Sequence, residues 1–132
     1  MDEAIVETAD DARDHPLILA SRVLGTPVFD PAGTRLGHVE NLSIEKGSGR
    51  VVYAIMSFGG FFGIGEKFHP VPWSLLDYDG TRGGFVVPLE PSVLKGAPNY
   101  DAEELRALGG ADYRRYGDSI YRYYGPYSAG PW

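Results

Sequence analysis

The chain of 132 residues contains no cysteine. This absence excludes a disulfide framework, a thiolate nucleophile and a metal site built on cysteine sulfur. The three histidines, His15, His38 and His69, have no spacing that suggests a metal site, and no nucleophile stands in a catalytic motif. We therefore predict a protein with no catalytic residues, no metal, no cofactor and no enzymatic activity.

The sequence also lacks a long apolar run. No stretch approaches the roughly 18 residues that a membrane span needs, and the acidic N-terminus does not have the basic and apolar regions of a signal peptide. These absences predict a cytoplasmic protein without a transmembrane segment.

Basic residues are few. The chain has 12 Lys and Arg against 18 Asp and Glu, and residues 1–14 alone hold six acidic residues against one arginine. The remaining body is close to neutral, so it lacks the basic surface on which phosphate binding depends. This charge distribution argues against a nucleic-acid partner.

Glycine and proline are abundant, at 18 and 10 residues, and predict many turns between short strands. We expect an acidic flexible leader over 1–16, a β domain over 17–100, a helix over 101–110 and a Tyr/Arg-rich tail over 111–132. The helix is predicted from a capping box, in which Asp101 is the N-cap and Glu104 follows three residues later, and from the stop at Gly109-Gly110.

The strongest β signal is a hairpin. Its two arms, joined by Gly47-Ser48-Gly49, are Arg35 to Lys46 and Arg50 to Phe58. The apolar residues of the first arm do not all have the same parity, and a bulge near Glu40 and Asn41 would bring them to one face. With the short segments that follow, the pattern predicts a mainly β fold, a small antiparallel barrel of about six strands with a short C-terminal α-helix and flexible tails.

The second arm of this hairpin is apolar at both parities, so it needs cover on both sides. The cover comes either from the C-terminal segment or from a second subunit, and we expect a homodimer. The predicted dimer or tail contacts are Val52, Met56, Tyr113, Tyr116, Tyr121, Tyr123 and Tyr124.

A glycine-rich loop over 59–65 has the glycine spacing of a phosphate-binding loop, but Glu66 stands where the lysine should be. The loop also carries Phe61, Phe62 and Ile64, which are hard to bury on a glycine-rich turn. We predict that these three side chains form a contact surface for a protein partner.

Three blocks of the sequence resemble the PRC-barrel family: Gly25 to Val39, Val52 to Gly60, and Gly63 to Trp73. The third block looks like that of the stand-alone bacterial members. The family shares its fold with the cytoplasmic domain of the photosynthetic reaction-centre H subunit and with the C-terminal domain of the ribosome maturation factor RimM.

The resemblance implies a barrel that binds other macromolecules and has no known catalysis. We expect a scaffold module for protein–protein interaction or self-association. Two alternatives stay open at this point. One is an accessory of a membrane photosynthetic or electron-transfer complex, like the H subunit, and the other is an RNA- or ribosome-associated factor, like RimM.

Overall fold

The computed structural model describes residues 17–58, 67–107 and 113–127. The strands are β1 (Pro27–Phe29), β2 (Arg35–Ile44), β3 (Val51–Ser57), β4 (Phe68–Pro72), β5 (Asp77–Asp79) and β6 (Gly84–Val86). The helices are α1 (Ala20–Val23), α2 (Pro91–Lys95), α3 (Ala102–Ala107) and α4 (Tyr113–Tyr124), with single 3₁₀ turns at Trp73–Leu75 and Gly125–Tyr127. The predicted mainly β fold with short helices is confirmed.

The six strands form one sheet in the order β4-β3-β2-β1-β6-β5. The sheet is barrel-like but not closed, so β4 and β5 are its two edges. All pairs are antiparallel except β1 and β6, which are parallel. The expectation of a wholly antiparallel barrel is wrong for this pair, because β1 and β6 are not joined by a hairpin that would fix their relative direction.

The β2–β3 hairpin is the centre of the sheet and carries the predicted bulge. Its register shifts between Val39 and Asn41, where the parity of the apolar residues changes. The hairpin is closed by the bond from the Glu45 N–H to the Arg50 carbonyl, at 2.8 Å. Gly49 has a φ of +78°, a conformation that glycine adopts without steric cost.

Alternation along β3 divides its side chains between two faces of the sheet. The inner face holds Ala54 and Met56, and across the ladders Met56 lies opposite Val39 and His69. The outer face holds Tyr53 and Ile55. All these β3 residues are buried, so the strand has cover on both sides.

The C-terminal region differs from the flexible Tyr/Arg-rich tail that the sequence suggested. Its described part forms α4, and Tyr116, Ile120, Tyr123 and Tyr124 recur at the spacing of one helical face. Ile120 and Tyr124 are fully buried. The described part of the predicted tail is therefore an ordered helix, because aromatic residues supply the apolar face that aliphatic residues usually provide.

The described part of the predicted helix over 101–110 is present as α3, and residues 108–110, with the predicted stop at Gly109-Gly110, lie outside the described residues. Its capping box has both reciprocal bonds: the Glu104 N–H donates to Asp101 Oδ1 at 2.8 Å, and the Asp101 N–H donates to Glu104 Oε1 at 2.9 Å. The apolar segment that begins at Leu17 contains one helical turn, α1.

Candidate interaction surfaces

The outer face of β3 and β4 is covered by α4 of the same chain. The rings of Tyr53 and Tyr121 lie 6.0 Å apart, and those of Tyr100 and Tyr116 lie 5.1 Å apart in an edge-to-face arrangement. Tyr100 belongs to this face because it forms a bridge with Phe68 on β4. Aromatic pairs of this geometry stabilise a contact beyond the area that they bury.

Hydroxyl groups hold the helix at two further points. The Tyr53 hydroxyl is hydrogen-bonded to Tyr121, and burial, reinforced by Tyr121, raises the pKa of Tyr53. The Tyr123 hydroxyl donates to the Val93 carbonyl at 2.5 Å, which ties α4 to α2. The Tyr124 hydroxyl is buried without a hydrogen-bond partner in the described part of the chain, and burial raises its pKa as well.

The predicted dimer or tail contacts lie in several environments. Met56 and Tyr124 are fully buried, Met56 in the core on the inner face of the sheet and Tyr124 on the buried face of α4. Val52, Tyr116 and Tyr123 are half-buried against the same core, and Tyr121 is 39% exposed. Tyr113 begins α4, and its side chain lies outside what the structure describes.

This arrangement changes the argument for a homodimer. The apolar outer side chains of β3 need a second cover, and α4 provides it within one chain. The dimer therefore stays a prediction without the uncovered β3 face that motivated it. The other predicted contact surface, Phe61, Phe62 and Ile64, falls outside the described residues.

A different apolar surface is exposed at the start of the described chain. Leu17, Ile18, Leu19 and Leu24 are 85%, 50%, 72% and 41% exposed. We call these four residues the N-terminal apolar segment. Sequence reasoning did not single them out, because a short apolar run before a β domain is equally typical of a buried entry strand.

The position of this segment is fixed by the residues that follow it. Val23 is buried in the core, the Gly25 N–H donates to the Val39 carbonyl at 2.7 Å, and the Val39 N–H donates to Thr26 at 2.9 Å. These contacts attach the C-terminal end of α1 to β2. The N-terminal apolar segment is therefore held at the surface by a buried anchor beside it.

His69 is a titratable group on the inner face of the sheet. It is 2% exposed, and its ring lies 4.7 Å from the ring of Phe58. Burial lowers the pKa of His69 to about 4. The imidazole is neutral at physiological pH and is packed as part of the core.

The acidic hairpin between β5 and β6 lines a surface pocket of about 320 Å³. Asp79 Oδ1 accepts the backbone N–H groups of Thr81 and Arg82 at 3.0 and 3.3 Å, and Asp79 Oδ2 lies 3.6 Å from the Arg82 guanidinium. The Asp79 carboxylate is therefore used to build the turn. Within the described ranges, no three His, Cys, Asp or Glu side chains gather as metal ligands would.

Among the residues described, no helix combines the length and the apolar character required to cross a bilayer.

Comparison with known proteins agrees with the six-stranded sheet. The family model of the PRC-barrel domain matches residues 15–93, which is more than half of the chain and includes all six strands. A search of curated proteins found no match. The resemblance of the three sequence blocks and the observed sheet lead to the same conclusion: the chain belongs to the PRC-barrel domain family.

Proposed function

We propose that this protein is a non-enzymatic binding module that contacts a protein partner through the N-terminal apolar segment. The observation that carries this proposal is the exposure of Leu17, Ile18 and Leu19, three consecutive large aliphatic side chains. Contiguous exposed apolar residues on a folded domain are typical of interaction sites.

Among the described residues, the large aliphatic side chains that are exposed in succession lie in this segment, whereas Ile44 is exposed singly at the end of β2. On β3, which is apolar at both parities, the chain covers the side chains with its own core on one face and with α4 on the other. Burial of a leucine side chain contributes about 1.5–3 kcal/mol relative to exposure. Several such side chains left in water on an otherwise well-covered domain therefore supply free energy that a partner can use.

A non-enzymatic role is supported by what the titratable groups do. His69 is neutral and enclosed in the core, and Asp79 is engaged in its own turn. The PRC-barrel domain is a non-catalytic family. These observations favour binding over chemistry.

The proposal is tested by replacing Leu17 and Leu19 with serine and capturing partners from native cells by cross-linking. The matched control is Ile44→Ser, because Ile44 is also a large exposed aliphatic residue, at 53%, but lies at the far end of β2. We expect the double variant to lose partners that the wild type and the control both capture, with an unchanged melting temperature. Equal capture by all three proteins would contradict the proposal.

Self-association is a second form of the same role. A homodimer that uses the N-terminal apolar segment would give a doubled mass in light scattering at micromolar concentration, and Leu17→Ser with Leu19→Ser would return it to the monomer mass. The predicted surface of Phe61, Phe62 and Ile64 is tested in the same way with Phe61→Ser and Phe62→Ser. A monomer mass for the unmodified chain would exclude the dimer.

A further inference from the structure

Helix α4 covers a surface of the barrel. The helix itself lies outside the segment that matches the family model. The family match ends at residue 93, and α4 begins at Tyr113. The strands that it covers, β3 and β4, lie inside the match. The barrel therefore has an apolar outer face for which a helix appended after the domain supplies the cover.

The contact between α4 and this face has the composition of an interface between two proteins. Ile120 is a buried aliphatic residue of the helix, and the described ring contacts are made by Tyr121 with Tyr53 and by Tyr116 with Tyr100. Tyrosine is enriched where surfaces associate because it combines an apolar ring with a polar end. An amphipathic helix in an apolar groove is also a common mode of peptide recognition.

The fit is close at one point and incomplete at another. A Cβ atom on Gly117 would lie 3.3 Å from the Tyr53 hydroxyl, so the small residue lets the helix approach the sheet. The Tyr124 hydroxyl, by contrast, is fully buried and has no hydrogen-bond partner among the described residues. A buried hydroxyl without a partner loses its hydration and gains nothing in return, which weakens the docked state.

We propose that the outer face of β3 and β4 is a docking site for an amphipathic helix of a protein partner, and that α4 occupies it as a displaceable internal ligand. The partner helix has the pattern of α4: a small residue opposite Tyr53, an aliphatic residue three positions later, and an aromatic pair three and four positions after that. When α4 leaves, the partner helix takes its place.

The first experiment empties the site in the full-length chain. Ile120→Asp puts a charge on the buried face of α4, and Ser119→Asp is the matched control because it adds the same charge at a neighbouring exposed position. The probe is a fluorescent synthetic peptide of residues 113–127, followed by anisotropy. We expect it to bind the Ile120→Asp chain at least tenfold more tightly than the Ser119→Asp chain, and an Ile120→Asp peptide to bind neither.

Absence of peptide binding to an Ile120→Asp chain whose β3 amides remain protected from exchange would overturn the proposal. A second measurement decides the matter if that variant does not fold. In the wild-type protein, we expect α4 amides to exchange at least tenfold faster than β3 amides, since the helix opens without the sheet. Equal protection of α4 and β3 would mean that the helix is part of one cooperative unit and refute displacement.

A second copy of the chain is the competing occupant. In a mixture of Gly96→Cys and Tyr123→Cys chains, a short bismaleimide joins two chains only if α4 is exchanged between them, because the Tyr123 hydroxyl normally lies beside Gly96 of its own chain. A cross-linked dimer in this mixture would overturn the assignment to a different protein. If cross-linking occurs only in the chain that carries both Gly96→Cys and Tyr123→Cys, and this chain stays a monomer, the assignment to a different protein is supported.

Discussion

At the scale of single residues, His69 makes the stability of the fold depend on pH. Its pKa is lowered by burial from 6.5 to about 4, so the unfolded chain binds a proton in a range where the folded chain does not. Stability is therefore constant with respect to this group above about pH 6.5 and falls as the pH decreases from 6.5 towards 4. The loss by pH 4.5 is up to about 2.5 kcal/mol, at 1.36 kcal/mol per pH unit.

This loss is measured by urea unfolding at pH 7 and pH 4.5 for the wild type and for His69→Gln. The variant removes the titrating group. We therefore expect its free energy of unfolding to fall between pH 7 and pH 4.5 by about 2 kcal/mol less than that of the wild type. Parallel losses in the two proteins would show that His69 is not responsible.

Gly117 gives a prediction that separates helix propensity from packing. Alanine in place of an exposed helical glycine stabilises a helix by about 1 kcal/mol. At Gly117 the new Cβ would press on the Tyr53 hydroxyl at 3.3 Å, and that hydroxyl is held by Tyr121. We expect Gly117→Ala to give no gain in the wild type but to recover about 1 kcal/mol in a Tyr53→Phe background, measured as a double-mutant cycle of unfolding free energies. The same gain in both backgrounds would show that the hydroxyl does not restrict the site.

At the scale of the elements, Gly37 determines how closely β2 and β3 approach. A Cβ at this position would overlap the Ser57 carbonyl oxygen and the Phe58 ring, and the backbone atom cannot move aside without breaking the ladder. We expect Gly37→Ala to destabilise the protein by roughly 2 kcal/mol or more. Gly47→Ala in the turn of the same hairpin is the control, since nothing lies within 4 Å of its added Cβ. Thermal melts of the two variants that coincide would contradict this account.

The elements also show which parts of the structure a sequence can reveal. The hairpin of β2 and β3, its bulge and the capped helix α3 were predictable because each depends on local signals: glycine in a turn, a change of parity, a capping box. Helix α4 was missed since its periodic face consists of tyrosines around a single isoleucine, and tyrosine is not a strong helix former.

The candidate surfaces were less predictable than the strands. That β3 needed two covers followed from its sequence, but whether α4 or a second chain supplied the outer cover depended on tertiary contacts between residues about 70 positions apart, such as Tyr53 and Tyr121. No signal in the sequence indicated that Leu17 and Leu19 are exposed, because a short apolar run can lie either in the core or at the surface.

At the scale of the whole molecule, buried tyrosines limit stability at high pH as His69 does at low pH. Burial raises the pKa of Tyr53 and Tyr124 above the ordinary value of 10, so folding favours their neutral forms. Their contribution is present below pH 10 and is lost as the pH rises above it. We expect a plateau of stability between about pH 6.5 and pH 10.

The upper limit is measured by the absorbance of tyrosinate near 295 nm. Among the nine tyrosines, at least Tyr53 and Tyr124 should ionise together with the loss of near-ultraviolet circular dichroism, and not before it. Complete ionisation near pH 10 with the tertiary signal intact would show that these hydroxyls reach solvent in the folded protein.

The open sheet has a consequence for the way in which it meets other chains. Along the edge of β4, the residues whose backbone groups point away from β3 are Phe68, Pro70 and Pro72. The Phe68 N–H is bonded to the Tyr100 carbonyl, and the two prolines have no N–H. The β5 edge is three residues long and carries Asp77 and Asp79, which repel an identical neighbour. Neither end can act as a template for a further strand, so the sheet resists edge-to-edge aggregation, and recognition of a partner is left to side chains.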